Sequence, residues 1–204
     1  MYIPAVNRID DRDLIVEIMQ KNSFATLVST VEGEPVATHL PVLVEPGDPL
    51  VLMAHIARAN SQWRTFSGDS NALVIFSGPH GYVSPRWYES RPNVPTWNYV
   101  SVHAYGPVEI IEDEELALAH LKTMVETFDP TLSELQPDSM DTEYHRKLLR
   151  GIVVFRITVE RVDAKAKLNQ NKSGADRSAV RTRYETSDLA DEREMGAMMS
   201  EPGP

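Results

Sequence analysis

One stretch limits what this chain can become: residues 76–106, FSGPHGYVSPRWYESRPNVPTWNYVSVHAYG. It holds seven of the chain's 15 Phe, Tyr and Trp residues: Phe76, Tyr82, Trp87, Tyr88, Trp97, Tyr99 and Tyr105. Pro79, Pro85, Pro92 and Pro95 stiffen it by fixing φ. Ordinary connections between strands run roughly 4–6 residues and are polar. A long aromatic one must bury its rings, and Tyr and Trp suit places with one apolar and one polar side. The stretch therefore reads as the wall of a flat ligand site or as a subunit contact. A packed Ω-loop closing a core is the plain alternative.

Around it the chain alternates short strands with few helices. Asp10 or Asp11 can cap a helix whose Leu14, Ile15, Ile18 and Met19 form one apolar face, ending near Asn22. Phe24–Thr30 and Val36–Val44 read as strands joined at Glu32-Gly33. Both faces of the second are largely apolar, which predicts that both are covered, while Pro41 marks an edge or a bulge. Further strands are expected at Leu50–Ile56, Ala72–Phe76, Trp97–Ile110 and Ile152–Val159. In Trp97–Ile110, Asn98, Val100, Val102 and Ala104 share a core face. Tyr99, Ser101, His103 and Tyr105 share an aromatic and polar one.

Asp113 begins a helix with a buried stripe from Leu116 to Phe128, residues 129–141 read as a polar loop, and Thr142–Leu149 as a short helix. Residues 1–177 form the expected domain, and 178–204 a polar tail that is marginally helical or disordered. About six strands with short turns and few crossovers predict a mainly β, α+β chain: an antiparallel barrel or sheet with peripheral helices.

Composition removes several function classes. Cys is absent, which excludes disulfides and thiol chemistry. No apolar run spans a bilayer and no leader precedes the domain, so a cytoplasmic protein without membrane contact is expected. The net charge of −10 argues against direct DNA binding, which depends on cations neutralising phosphates. His39, His55, His80 and His103 associate with strands but lack ligand spacing, so no metal is expected. Signatures for dinucleotide folds, P-loops and hydrolase elbows are missing.

The remaining polar groups converge on one type of ligand. In HIARANSQW, Asn60 or Ser61 caps a short helix with Arg58 ahead of it and Trp63 within it. Free N–H groups and a guanidinium there would suit an anion, against the plain reading of an ordinary cap. Trp87, Trp97 and Tyr99 offer ring faces, and Asn98, Asn169, Gln170 and Asn171 offer amides. A planar heterocycle with a phosphate tail needs such a set.

The blocks MYIP, THLP, HIARANSQW, GPHGYVSPRWY, VPTWNYVSVHAYG and KLNQNKSGADR, in that order, resemble the PaiB family of FMN-binding negative transcriptional regulators. The resemblance implies a split β-barrel of the pyridoxamine-phosphate-oxidase-like class. It also implies a homodimer with FMN held between two subunits. Carried onto this chain, it implies phosphate contacts from Arg58, Asn60 and His55, with Thr38, His39 and Leu40 lining the isoalloxazine. Trp97, Asn98, Tyr99 and His103 would come from the facing subunit, and Lys167, Gln170 and Asn171 would close the site. Flavin reductases and pyridoxamine oxidases share the class, so a flavin-dependent oxidoreductase is the competing expectation. A haem-binding split barrel using His39, His55 or His103 is a third.

Overall fold

The computed structural model describes residues 1–66, 71–135 and 143–200. Eight strands form one sheet: β1 (Phe24–Val31), β2 (Glu34–Pro41), β3 (Leu43–Glu45), β4 (Val51–Ala57), β5 (Asn71–Val83), β6 (Thr96–Ile110), β7 (Ile152–Thr158) and β8 (Arg161–Lys167). The helices are α1 (Arg12–Lys21), α2 (Glu114–Phe128), α3 (Pro130–Leu135), α4 (Glu143–Leu149), α5 (Gly174–Glu185) and α6 (Ala190–Met198). The strand order is β2-β1-β5-β6-β7-β4-β3, with β8 paired to β6. β1 pairs antiparallel with β2 and β5, as β4 does with β3 and β7. This is the antiparallel split-barrel type with peripheral helices. No helix among the described residues is long and apolar enough to cross a membrane.

The chain divides into two compact units, each discontinuous in sequence. One comprises Ser23–Ile75 and Ala104–Val162. Here Glu32 (φ 52°) and Gly33 (φ 88°) both take left-handed backbone, the conformation a two-residue hairpin turn requires. The turn sets the β1–β2 register, placing Thr26 opposite His39 and Leu27 opposite Thr38. Alternating residues Ala25 and Leu27, Leu52, Ala54 and Ile56, and Val153, Phe155 and Ile157 are buried and form the core.

The expected strand Val36–Val44 is interrupted. Pro41 has no N–H to donate, and Val42 N–H turns to Ser23 O at 2.9 Å, so β3 starts anew at Leu43. Nor is β2 covered on both faces: it lies at the edge of the sheet, with Ala37 and His39 exposed. The expected loop 129–141 contains α3 over residues 130–135, just after Asp129; residues 136–142 lie outside the described residues.

The other unit comprises Met1–Asn22, Phe76–His103 and Asp163–Pro204. Asp11 caps α1, its Oδ1 accepting from Asp13 N–H (2.9 Å) and Leu14 N–H (3.1 Å). Much of the aromatic stretch turns out to be strand, since β5 runs on to Val83 and β6 starts at Thr96. The connection that remains, residues 84–95, is pinned by Asp176 of α5. That carboxylate accepts from Glu89 N–H (2.8 Å), Ser90 N–H (3.0 Å) and Ser90 Oγ–H (2.6 Å). The Ser90 hydroxyl and amide, with lesser help from Ser173 and Glu89, hold its pKa down at about 2 against the cost of burial.

Residues 178–200, expected to be marginally helical or disordered, are helical over most of their length, in α5 and α6. α5 and α6 bury Val180, Tyr184 and Met195 completely, a set too widely spaced to stand out in a polar segment.

Candidate functional site

In the unit containing β1–β4, the HIARANSQW block leaves β4 and winds into a 3₁₀ helix, Ser61–Thr65. Its pivot is Gln62, fully buried. The Gln62 amide nitrogen donates to Ser29 Oγ (3.1 Å) and Val36 O (3.2 Å), and its oxygen accepts from Thr38 Oγ1 (2.5 Å). Asn60 caps the helix through Gln62 N–H (3.0 Å) and donates through Nδ2 to Thr38 Oγ1 (2.9 Å). The structure thus brings Thr38 and Asn60 together but commits their polar atoms to the scaffold. Gln62, which the sequence reading did not single out, fixes this corner; a glutamine inside an Asn-Ser-Gln-Trp cap gives no local sign that it is buried.

Arg58 is exposed, and two of its five N–H donors are taken: Nε by Arg150 O (3.0 Å) and Nη2 by Ile152 O (2.8 Å). Its guanidinium also lies 5.8 Å from the Trp63 ring, whose indole N–H donates to Arg58 O at 2.9 Å. Both residues line a cleft of about 900 Å³ with Arg146, Lys147 and Arg150, but also Glu112, Glu114 and Glu143. On β2, Leu40 is buried, whereas His39 is exposed and stacks on Phe24 with ring centroids 6.4 Å apart.

His55 turns toward α2 rather than toward Asn60. Its Nδ1 lies 3.2 Å from Nε2 of His120, a buried residue of the α2 stripe. Burial lowers both pKa values, and the His55 charge adds to the effect on His120, which falls to about 4. The unfolded chain then takes up protons near pH 6.5 that the folded one refuses until lower pH. This arrangement costs nothing above pH 6.5 and destabilises progressively as pH falls toward 4. The expected loss from His120 is roughly 2 kcal/mol between pH 7 and pH 5. Urea denaturation at the two pH values should show that loss shrink in His120→Leu; equal losses in parent and variant would contradict it.

In the other unit, β6 carries the predicted ring face. Trp97 is 53% exposed, Tyr99 and His103 are half-buried, and Tyr82 of β5 meets Trp97 edge-on at 5.7 Å. His80 adds a ring 6.2 Å from Trp97. Asn98, on the opposite face, is fully buried, and its Nδ2 lies 3.9 Å from Met199 Sδ. Within one chain its amide is therefore aimed at the core.

Lys167 reaches back to the same ring wall, donating to Thr96 Oγ1 and to Trp97 O at 2.6 Å. Burial, and secondarily the Lys165 charge, lowers its pKa. Gln170 closes a local turn instead of projecting outward: its oxygen accepts from Leu168 N–H (2.7 Å) and its nitrogen donates to Ala166 O (2.5 Å). Asn169 is buried with left-handed backbone (φ 59°), a conformation asparagine tolerates, and Asn171 is exposed.

These features fit an aromatic anion on two counts. In the unit carrying β6, the large rings of Trp97 and Tyr82 stand in water where a planar ligand could cover them. Arg58 retains donors beyond the two that carbonyls use, enough for a phosphate.

Known proteins agree with this chemistry. Residues 1–161 match the family model described as "Putative FMN-binding domain". The chain is 38% identical over 208 residues to the Protease synthase and sporulation protein PAI 2 of Bacillus subtilis, covering 98% of this chain and 97% of that one. The FAD and heme binding protein from Mycobacterium smegmatis superposes with a TM-score of 0.64 at 15% identity, over 85% of this chain and 79% of that one. The flavocytochrome Anf3 from Azotobacter vinelandii superposes with a TM-score of 0.62 at 18% identity, over 80% and 68%. At such identities these two likenesses concern the fold alone. Matched through most of its length by the family model and along nearly all of it by the Bacillus protein, the chain belongs to the FMN-binding PaiB family, and its cofactor is FMN.

Proposed function

We propose that the chain acts as a homodimeric, FMN-binding regulator of the PaiB type, with each flavin enclosed between two subunits. The observation that carries this reading is the ring surface that β5 and β6 leave uncovered in a single copy: Trp97 53% and Tyr82 40% exposed. Exposed apolar patches of this kind mark ligand or protein contacts. One subunit supplies Thr38, His39 and Leu40 to the ring, and Arg58, Asn60 and Trp63 around the phosphate, while His55, turned to His120, stays out of the site. Its partner supplies Trp97, Tyr99 and His103, with Lys167, Gln170 and Asn171 at the margin, while Asn98 stays in the core behind them. Asn60 and Gln170 act there by holding backbone in place, as their internal bonds require.

Bound FMN supplies a redox-active ring. The chain's part is to orient it against aromatic faces, neutralise its phosphate and exclude water. The net charge of −10 leaves direct DNA contact unfavourable, so regulation is indirect, through flavin sensing, a protein partner or an enzymatic product.

Trp97→Ala is expected to weaken FMN binding about fivefold to 150-fold, since stacking on an aromatic side chain contributes roughly 1–3 kcal/mol. It should also shift the dimer toward monomer. Flavin absorbance titration and analytical ultracentrifugation check the two effects. Unchanged affinity together with an unchanged sedimentation profile would remove this face from the site.

A further inference from the structure

A separate recess lies in the unit that holds α1, α5 and α6. There α1, α6, β5 and β6 border a groove of about 150 Å³, and every residue that lines it belongs to this one unit. Its walls are apolar: Leu14 and Ile18 of α1, Pro79 of β5, Val100 of β6, and Ala197 and Met198 of α6. Ile18, Pro79 and Val100 are buried and form the floor. Ala197 is exposed and Leu14 and Met198 are half-buried, so the groove opens to water along α6. Val100 alternates with Tyr99 and projects from the opposite face of β6. The groove and the ring wall therefore share no residue. A void of about this size holds a benzene-sized body, and a methionine wall adapts to its shape.

The mouth of the groove is acidic. Glu17 pairs with Lys21 at 2.6 Å, one turn along α1. Asn22 spends its side-chain amide on Ile18 O at 2.8 Å. Glu194, which meets the same groove from α6, makes no ion pair or side-chain hydrogen bond among the described residues. Two carboxylates thus stand against one ammonium, and one negative charge is left unbalanced beside an apolar recess. An apolar body with one placed charge is the form that small-ligand sites commonly take. The net charge of −10 adds a field that favours cations.

We propose that this groove binds a small organic cation, an ammonium carried on a compact aromatic or branched aliphatic body. The body lies between α1 and α6, and the ammonium meets Glu194. A carboxylate of the same shape is repelled by Glu17 and Glu194, and a neutral analogue loses the ion pair. The inference is independent of the flavin, because no residue of the groove belongs to the FMN site.

The test uses the full chain, titrated with benzylamine, benzyl alcohol and phenylacetate, and with ammonium chloride as the salt control. Methyl carbon-13 correlation spectra report binding. Benzylamine is expected to shift the signals of Leu14, Ile18, Val100 and Met198 saturably. It should bind more tightly than benzyl alcohol, with phenylacetate weakest. Glu194→Gln should weaken benzylamine about two- to fivefold, the range for a solvent-exposed ion pair, and leave benzyl alcohol unchanged. Glu194→Lys should invert the order, so that phenylacetate binds best. Ala197→Leu fills the groove from an exposed helix position and should abolish binding of all three.

Shifts matched by ammonium chloride, or undiminished in Ala197→Leu, would overturn the proposal. So would equal affinities for the amine and the acid, or the absence of any saturable shift. Should Ala197→Leu fail to fold, the two Glu194 variants, which change only an exposed side chain, still decide the matter. The FMN titration midpoint should be unchanged by saturating benzylamine; displacement of FMN would contradict the proposal by placing the probe in the flavin site. If FMN does not bind at all, the benzylamine titration still stands as the test of the groove.

Discussion

Tyr184→Ala is expected to destabilise the protein by about 3–5 kcal/mol, the range for truncating a large buried aromatic side chain. Tyr184 is fully buried, its hydroxyl donates to Gly81 O at 2.9 Å, and its ring meets Trp87 edge-on at 5.8 Å. Burial first, then the Glu192 charge, raises the phenol's pKa, so it remains a protonated donor at any ordinary pH. Gly81 and Tyr184 are fitted to each other: a Cβ at Gly81 would lie 2.8 Å from the ring. Tyr184→Phe keeps the ring and loses one hydrogen bond, so it should cost only about 1 kcal/mol. Urea denaturation of both variants checks the difference. Equal small losses would mean that α5 does not support the aromatic connection. With Tyr184→Ala, intrinsic fluorescence should also report a freer Trp87 before global unfolding.

Gly106→Ala is expected to cost about 3 kcal/mol or more, because overpacking against backbone cannot be relieved by a rotamer change. A Cβ at this position of β6 would sit 2.0 Å from Thr158 O and 3.2 Å from Ile157 Cγ2. The chain after β7 is tied there by Glu160 N–H to Tyr105 O (2.9 Å) and Val159 N–H to Leu50 O (2.9 Å), so neither strand can step aside alone. Gly174→Ala is the control. A Cβ at Gly174 meets nothing within 4 Å, and the residue opens α5, where alanine is favoured. Chemical denaturation should separate the two substitutions by several kcal/mol. A Gly106→Ala variant as stable as the Gly174→Ala one would mean that the strands do not approach as closely as described.

The sequence made some parts of this molecule legible and hid others, for physical reasons. Alternation along β6 was readable because Asn98, Val100, Val102 and Ala104 differ so plainly from Tyr99, Ser101, His103 and Tyr105; the first set is buried and the second half-buried. The α1 cap at Asp11 and the turn at Glu32-Gly33 were readable from single residues with strong local preferences.

β8 was missed. Its pattern, Arg-Val-Asp-Ala-Lys-Ala-Lys, pairs small alanines with lysines, and nothing in it signals that Lys165 is buried. β5 was cut short at Phe76 because Gly78, Pro79 and Gly81 look like turn residues. In the fold these glycines admit neighbours, Val100 at Gly78 and Tyr184 at Gly81. The same limit applies to the candidate site. Residue types identified an aromatic anion as the ligand class. They could not reveal that Asn60 and Gln170 spend their amides on the scaffold, or that His55 faces His120, because those partners are distant in sequence.

The central claim, that paired copies of this chain enclose FMN, is tested most directly by titrating the flavin-free protein with FMN and following flavin fluorescence. Saturation at one FMN per subunit, with emission altered from that of free flavin, is the predicted result. A signal that rises in strict proportion to added FMN, identical to flavin in buffer, would contradict the account.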